Sequence, residues 1–211
     1  MGYLKKLLEN SSPSINKHIP SLTKEVISMS GKLSSELLEM LRLKNGFYSL
    51  ESALHVFPAQ STEQEYGLNE WNSDKLWRNS YNKLKDELLF FAEDIFGGQF
   101  CIYNDRIYQF DPETAVLEYM ADGLEEWARK IIQDYDYYTG SSLANEWQKN
   151  NGLVPKNNRL APKIPFVMGG EFSLENLYLT ESVTGMRARA NIANQIKNLP
   201  DGKKIHFEIT D

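Results

Sequence analysis

Residues 88–119 read LLFFAEDIFGGQFCIYNDRIYQFDPETAVLEY, and this stretch decides the fold. It contains four apolar or alternating runs, each of the length of a short strand. Residues typical of turns separate these runs at 94–98, at Asn104-Asp105 and at 111–114. Four short strands joined by tight turns predict an antiparallel meander over about 88–119.

The residues around the meander predict helices that cover the sheet. Leucines at helical spacing predict a helix over 33–43, and Asp122 is the predicted N-cap of a helix after the meander. Residues 59–72 are polar and are expected to form a loop. The fold class is therefore α+β, with a central antiparallel or mixed sheet packed by helices. The other predicted helices are 73–85, 124–134, 141–149 and 186–199, and further strands are expected at 165–170, 174–179 and 204–209.

The domain organisation follows from the absence of a Gly/Ser-rich linker before residue 150. Domain boundaries usually fall in such linkers, so we predict one continuous domain over 1–211. Residues 1–30 are expected to form an N-terminal extension. Residues 150–211 are expected to form a C-terminal extension that packs on the core.

The composition is that of a folded protein. Of 211 residues, 41% are hydrophobic, 12% aromatic and 25% charged, which excludes overall disorder, collagen and coiled coil. The sequence lacks a run of about 18 apolar residues, so we predict no membrane span. The N-terminus lacks a long apolar segment with a small-residue cleavage site. We therefore expect a cytoplasmic protein.

The charge is unevenly distributed. The chain has 23 basic and 29 acidic residues, a net charge of −6, which argues against a nucleic-acid partner. Residues 86–146 hold 14 acidic and 3 basic side chains, whereas both flanks are slightly basic. The flanks could fold back onto the acidic middle, or the middle could be an ordinary solvated face. Alternatively, an acidic face could attract a basic partner and raise the rate of association.

The sequence offers few candidates for catalysis or metal binding. Cys101 is the single cysteine and lies in a strand pattern, so we expect a small core residue. Glu93 and Asp94 are adjacent and would point to opposite faces of a strand, so they would not share a catalytic site. We interpret them as residues of a turn. The histidines, His18, His55 and His206, lack metal-ligand spacing. We predict no catalytic, cofactor-binding or metal-binding residues, and we expect His55 to be a hydrogen-bonded structural histidine.

The segment from Asp134 to Gly140, DYDYYTG, is the most suggestive candidate for binding. Tyrosine is enriched at interfaces because it gives a large contact area at a small entropic cost. Alternating Asp and Tyr could dock Arg and Lys side chains of a basic protein. The alternative is a helix end whose tyrosines pack under the helix that carries Trp147.

Three stretches carry a family resemblance. They are ESALHVFP at 51–58, FAEDIFGGQF at 91–100 and LEEWA at 124–128, in this order around the meander. On these motifs the chain resembles the SMI1/KNR4 (SUKH) superfamily over roughly residues 35–135. The tail, with RLAP at 159–162 and PFVMGG at 165–170, resembles longer bacterial members. The polar insert at 59–86 departs from the family pattern.

The resemblance implies an α+β fold and, for bacterial members, an immunity protein. Such proteins bind and neutralise a cognate toxin, often a nuclease delivered to neighbouring cells. The family shares no catalytic residues and no common binding positions. We therefore expect a non-enzymatic protein without cofactors whose partner is a basic toxin, and the second hypothesis is a small-molecule-binding regulator or an enzyme with a pocket near His55. The residues expected to bind the partner are Glu125, Glu126, Asp134, Asp136, Tyr137 and Tyr138.

Overall fold

A six-stranded antiparallel sheet forms the centre of the molecule, in a computed structural model that describes residues 2–82, 84–197 and 199. Each strand pairs with its neighbour in sequence, so the sheet is a continuous meander. The α+β class and the meander over 88–119 are confirmed. The strands are β1 (Phe47–Ser49), β2 (Leu54–Val56), β3 (Leu89–Asp94), β4 (Gln99–Tyr103), β5 (Arg106–Phe110) and β6 (Leu117–Ala121).

The turn between β4 and β5 follows directly from its residues. Asn104 and Asp105 have φ angles of 47° and 60°, and Tyr103 pairs with Arg106 on either side of them. A two-residue hairpin loop needs two left-handed residues, and Asn and Asp tolerate this conformation better than other side chains. The predicted turn and the predicted bounds of both strands are confirmed.

Helices cover the sheet and lead into and out of it. They are α1 (Tyr3–Glu9), α2 (Lys24–Ser30), α3 (Ser34–Leu43), α4 (Leu68–Trp71), α5 (Leu124–Gln133), α6 (Tyr135–Thr139), α7 (Ser141–Asn151) and α8 (Ser182–Ile196). The predicted helices after the meander and the predicted helix at 33–43 are confirmed within a few residues. No helix within the described ranges is long and apolar enough to cross a membrane.

The predicted helix at 73–85 is wrong. Over its described residues the chain runs in turns, with a single 3-10 turn at Arg78–Ser80. The buried guanidinium of Arg78 donates to the carbonyl oxygens of Leu88 and Lys85 at 2.8 and 2.9 Å, and Trp77 is fully buried. Tertiary contacts of these side chains therefore override the apparent helical spacing. The prediction of a loop over 59–72 is also wrong in part, because residues Leu68–Trp71 of this range form α4.

The tail forms a small second sheet. β7 (Asn158–Pro162) pairs with β8 (Leu177–Glu181), so the strand expected at 174–179 begins later than predicted. Residues Phe166–Met168 form a 3-10 turn, and the strand expected at 165–170 is wrong. The strand predicted at 204–209 lies outside the described residues.

The N-cap of α5 also differs from the prediction. The residue before the helix is Gly123 rather than Asp122, and it contributes no side-chain cap. The main-chain N–H of Leu124 instead donates to Glu36 Oε2 on α3, at 3.1 Å. A distant carboxylate thus supplies the acceptor that the first turn of a helix requires.

Two apolar clusters fill the interior. The larger one lies between the sheet and its helices and includes Trp71, Trp77, Trp127 and Cys101. Cys101 is fully buried, and burial raises the pKa of its thiol, so its expected role as a core residue is confirmed. The smaller cluster joins the β1–β2 and β3–β4 turns, α7 and the β7–β8 hairpin. Its members are Ala53, Ile95, Ala144, Trp147, Leu160 and Leu177. The N–H of Leu160 also donates to the carbonyl of Ile95 at 2.9 Å.

Candidate functional site

A row of polar side chains crosses four strands of the sheet. The register pairs Tyr48 with His55, His55 with Glu93, and Glu93 with Gln99. Residues paired in this way project from the same face of a sheet. All four residues are buried or half-buried, so their polar atoms require partners inside the protein.

Glu93 lies at the centre of this row on β3, so its interpretation as a turn residue is wrong. Its Oε1 is 3.0 Å from His55 Nδ1 and 2.8 Å from Nη2 of Arg159, which projects from β7. Its Oε2 accepts a hydrogen bond of 3.1 Å from Gln99. Burial opposes ionisation, but the Arg159 charge and these hydrogen bonds outweigh it and hold the pKa of Glu93 below its ordinary value.

His55 is sealed inside the protein. The ring of Tyr48 stacks on it at 4.4 Å, and Phe57 meets it edge-on at 4.5 Å, so its side chain is only 1% exposed. Burial, aided by the Arg159 charge and opposed by Glu93, lowers the pKa of His55 to about 4. The expected structural role of His55 is confirmed. A general base must reach its substrate, and the structure encloses His55 instead of opening a pocket to it.

An open cleft lies beside the β3–β4 turn, separate from the polar row. Its volume is about 510 Å³, and it forms where the β3–β4 and β5–β6 turns meet α6, α8 and the loop before β8. We call it the acidic cleft, because four carboxylate side chains and one arginine line it. These charged residues are Asp94, Asp111, Glu113, Glu118 and Arg189.

Glu113 lies at the base of the acidic cleft and is 3% exposed. Its Oε2 accepts a hydrogen bond of 2.8 Å from the main-chain N–H of Val167. Its Oε1 is buried and has no hydrogen-bond partner among the described residues. Burial raises the pKa of Glu113, while the Val167 N–H and the charge of Arg189 oppose the shift.

Asp94 forms the second carboxylate of the base, at the end of β3. Its Oδ1 accepts hydrogen bonds from the N–H groups of Phe96 and Gly98 at 2.8 and 2.9 Å, which confirms its predicted turn chemistry. A side chain at position 98 would place a Cβ 2.3 Å from Asp94 Oδ2, so this approach requires glycine. Burial raises the pKa of Asp94 to about 7, although both hydrogen bonds and Arg189 act in the opposite direction.

Arg189 reaches the same base from α8. Its Nη1 donates to the carbonyl of Phe96, and its Nε donates to the carbonyl of Gly185 at 3.0 Å. Its Nη2 is buried and unpartnered within the part of the chain that the structure describes. Arg189 lowers the pKa of both Asp94 and Glu113, yet it forms no ion pair within 4 Å with the carboxylates described here.

Aromatic rings form the wall of the acidic cleft. Phe166 and Phe172 stack with centroids 3.9 Å apart, and Phe96 meets each of them edge-on at 5.6 Å. Gly140 approaches Phe96 so closely that a Cβ would lie 2.3 Å from the ring. Tyr137 stands at the rim and is 69% exposed.

The structure brings one of the six expected binding residues, Tyr137, to this cleft. Tyr137 lines it, and Asp134 and Asp136 are exposed at the start of α6. Asp136 Oδ1 also accepts a hydrogen bond of 2.7 Å from the N–H of Ser142, so it stabilises the start of α7. Tyr138 is half-buried against the main core.

Glu125 and Glu126 lie at the opposite end of α5 from Asp134. The ten residues of this helix span roughly 15 Å, so these two carboxylates do not join the acidic cleft. Glu125 accepts hydrogen bonds from the N–H groups of Tyr3 and Leu4 at the start of α1. Glu126 accepts from the N–H of Asp122 at 3.0 Å. Both side chains therefore have structural partners.

Sequence reasoning missed Arg159, Arg189 and the buried role of Glu113. The one available signal was Arg159 directly before the apolar stretch LAP at 160–162, because an arginine in a buried strand must be paired. Arg189 and Glu113 line the same cleft only because the C-terminal tail folds back onto the sheet, which the local sequence does not show. No group of three His, Cys, Asp or Glu residues suited to a metal ion occurs among the described residues.

Comparisons with known proteins support the fold alone. No protein-family model matches the chain, and no curated protein matches it. Among solved structures, the chain is similar to the crystal structure of Atu4351 from Agrobacterium tumefaciens. The TM-score is 0.54 at 12% sequence identity, and the match covers 87% of this chain and 86% of that one.

Proposed function

We propose that this chain is a non-enzymatic binding protein, an immunity protein that neutralises a cognate basic toxin in the cytoplasm by covering it. The observation that carries the proposal is the acidic cleft. It places four carboxylate residues next to an exposed tyrosine and an aromatic wall on one face of the molecule.

Charge and aromatic area have separate roles in this proposal. The carboxylates give the face a negative field, which raises the association rate with a basic partner and is screened by salt. The exposed rings of Tyr137 and Phe172, which are 69% and 65% exposed, supply contact area once the partner has docked. Affinity would come mainly from these buried aromatic contacts.

The resemblance to the SUKH superfamily agrees with this division of roles. A nuclease must carry basic side chains where it holds the phosphates of its substrate. An acidic protein that covers this basic surface blocks substrate binding without any chemistry of its own. This mode of action requires no catalytic residue, and the enclosed His55 is consistent with it.

The proposal predicts a toxin gene next to the gene for this chain, and the direct experiment uses the purified product of that gene. We expect an equimolar amount of the protein to abolish the activity of the purified toxin. Asp134→Lys should weaken the inhibition, because it reverses an exposed charge three residues before Tyr137, which lines the cleft. Asp136 is unsuitable for this test, since its carboxylate also binds the N–H of Ser142.

Glu39→Lys is the matched control, because Glu39 is exposed on α3 and does not line the acidic cleft. It should leave the inhibition unchanged. Full toxin activity in the presence of excess wild-type protein would refute the proposed function.

A further inference from the structure

We propose that the base of the acidic cleft is a socket for the guanidinium group of an arginine side chain on the partner protein. This inference rests on the proposed function and names the group that the cleft receives. It is carried by two buried residues at the base, Glu113 and Arg189, each of which has a polar atom without a partner among the described residues.

The acceptor atoms come from the two buried carboxylates. Glu113 Oε1 has no hydrogen-bond partner within the described chain, and the hydrogen bonds of Asp94 go to its Oδ1. Glu113 Oε1 and Asp94 Oδ2 therefore remain to accept from a ligand. A guanidinium group has five N–H donors in a planar fork, which suits two carboxylates better than a single-point donor does.

The charge of the cleft selects a cation. Four carboxylate residues line it against the single charge of Arg189. Burial raises the pKa values of Asp94 and Glu113 even though Arg189 lowers both. A second cation beside these carboxyl groups would favour their charged forms.

The aromatic wall favours a guanidinium over an ammonium ion. Phe96, Phe166 and Phe172 form a continuous cluster beside the base. A planar guanidinium is weakly hydrated and stacks on aromatic faces, whereas the ammonium of lysine is strongly hydrated. The cleft combines both features that such a side chain requires, carboxylates at the base and rings at the side.

Arg189 has a complementary role. Its Nη2 is a donor without an acceptor among the described residues, and a bound cation would not satisfy it. A main-chain carbonyl oxygen of the bound segment would accept a hydrogen bond from this Nη2. The ligand is therefore an arginine residue within a peptide, which brings a guanidinium and a carbonyl together.

The test titrates the protein with N-acetyl-L-arginine methylamide and follows chemical shifts by NMR. We expect binding with a dissociation constant on the order of 1 mM, with the largest shifts at residues lining the acidic cleft. The corresponding citrulline compound has the same shape without the charge and should bind at least about tenfold more weakly. The lysine compound should also bind more weakly than the arginine compound.

Glu113→Gln keeps the size of the side chain and should weaken binding of the arginine compound at least about tenfold. Glu39→Gln is the exposed control and should have no effect. If Glu113→Gln fails to fold, the comparison of arginine with citrulline on the wild-type protein decides the question. Equal binding of arginine and citrulline, shifts outside the cleft, or no binding would overturn the socket.

These outcomes are separable from those of the toxin assay. If the protein inhibits the toxin but does not bind the arginine compound, the socket is rejected and the proposed function stands. If the compound binds in the cleft but the toxin remains active, the proposed function is rejected, and the socket is rejected as a site for that partner.

Discussion

Arg159 on β7 lies 2.8 Å from Glu93 on β3, and the two side chains are 1% and 2% exposed. This ion pair joins the C-terminal hairpin to the polar row across the central sheet. Breaking a buried pair is costly because the remaining charge loses its compensation in a low-dielectric interior. The pair therefore couples the position of the tail to the integrity of the sheet.

Arg159→Met should destabilise the protein by about 3–5 kcal/mol, because it leaves the Glu93 carboxylate buried without its cation. Urea unfolding measures this change as a lower midpoint. Arg42→Met is the control, since Arg42 is exposed on α3, and it should change the stability by less than about 0.5 kcal/mol.

The double variant Arg159→Met/Glu93→Gln isolates the unpaired charge. It should recover part of the stability lost in Arg159→Met, because no uncompensated carboxylate remains. A double variant that is no more stable than Arg159→Met would show that the unpaired carboxylate is not what destabilises the single variant.

Asp94→Asn should change how stability depends on pH. In the wild type the pKa of Asp94 is raised to about 7, so its contribution to stability is present in acid and is lost as the pH rises from about 4 to 7. The loss approaches 1.4 kcal/mol per pH unit for one proton. The variant lacks this term and should gain stability relative to the wild type over this range.

His55 acts in the opposite direction over nearly the same range. Its folded-state pKa is lowered to about 4, so its contribution is lost as the pH falls from about 6.5 to 4. The two groups partly cancel in the wild type. Unfolding free energies of Asp94→Asn measured between pH 4 and 7 should therefore fall towards acid, and a profile parallel to that of the wild type would contradict the assignment.

Gly140→Ala should be more destabilising than Gly169→Ala. Both glycines are in the left-handed region, with φ angles of 66° and 87°, so both substitutions impose backbone strain of about 1 kcal/mol. Only at Gly140 would the new Cβ meet a ring, 2.3 Å from Phe96, whereas nothing lies within 4 Å at Gly169. The difference between the two unfolding free energies reports the contact with the wall of the acidic cleft, and equal values would show that Phe96 moves away freely.

The meander was predictable because its determinants are local. The strands β4 and β5 depend on alternation and on the left-handed turn at Asn104 and Asp105, which the residue types themselves favour. The short strands β1 and β2 were not predictable as a pair, since each has only three residues. Their pairing with β3 depends on the tertiary fold.

The site was predictable only in part. The acidic block and Tyr137 were visible in the sequence, and the structure places Tyr137 at the rim of the cleft. The base of the cleft was not visible, because Arg189 reaches Asp94 and Glu113 only after the tail has folded back. Glu125 and Glu126 belong to the same acidic block but accept hydrogen bonds from main-chain N–H groups away from the cleft. Counting charges along the sequence does not reveal these partners.

The proposed function makes the acidic cleft the docking face. The most direct test is to measure the rate of association between this protein and its cognate toxin at low and high salt. Glu118 is exposed at the rim, so Glu118→Lys should slow association several-fold at low salt and reduce its salt dependence. Glu39→Lys makes the same charge change on α3, away from the cleft, and should alter the rate much less. Equal effects of the two substitutions, or none from either, would contradict the account.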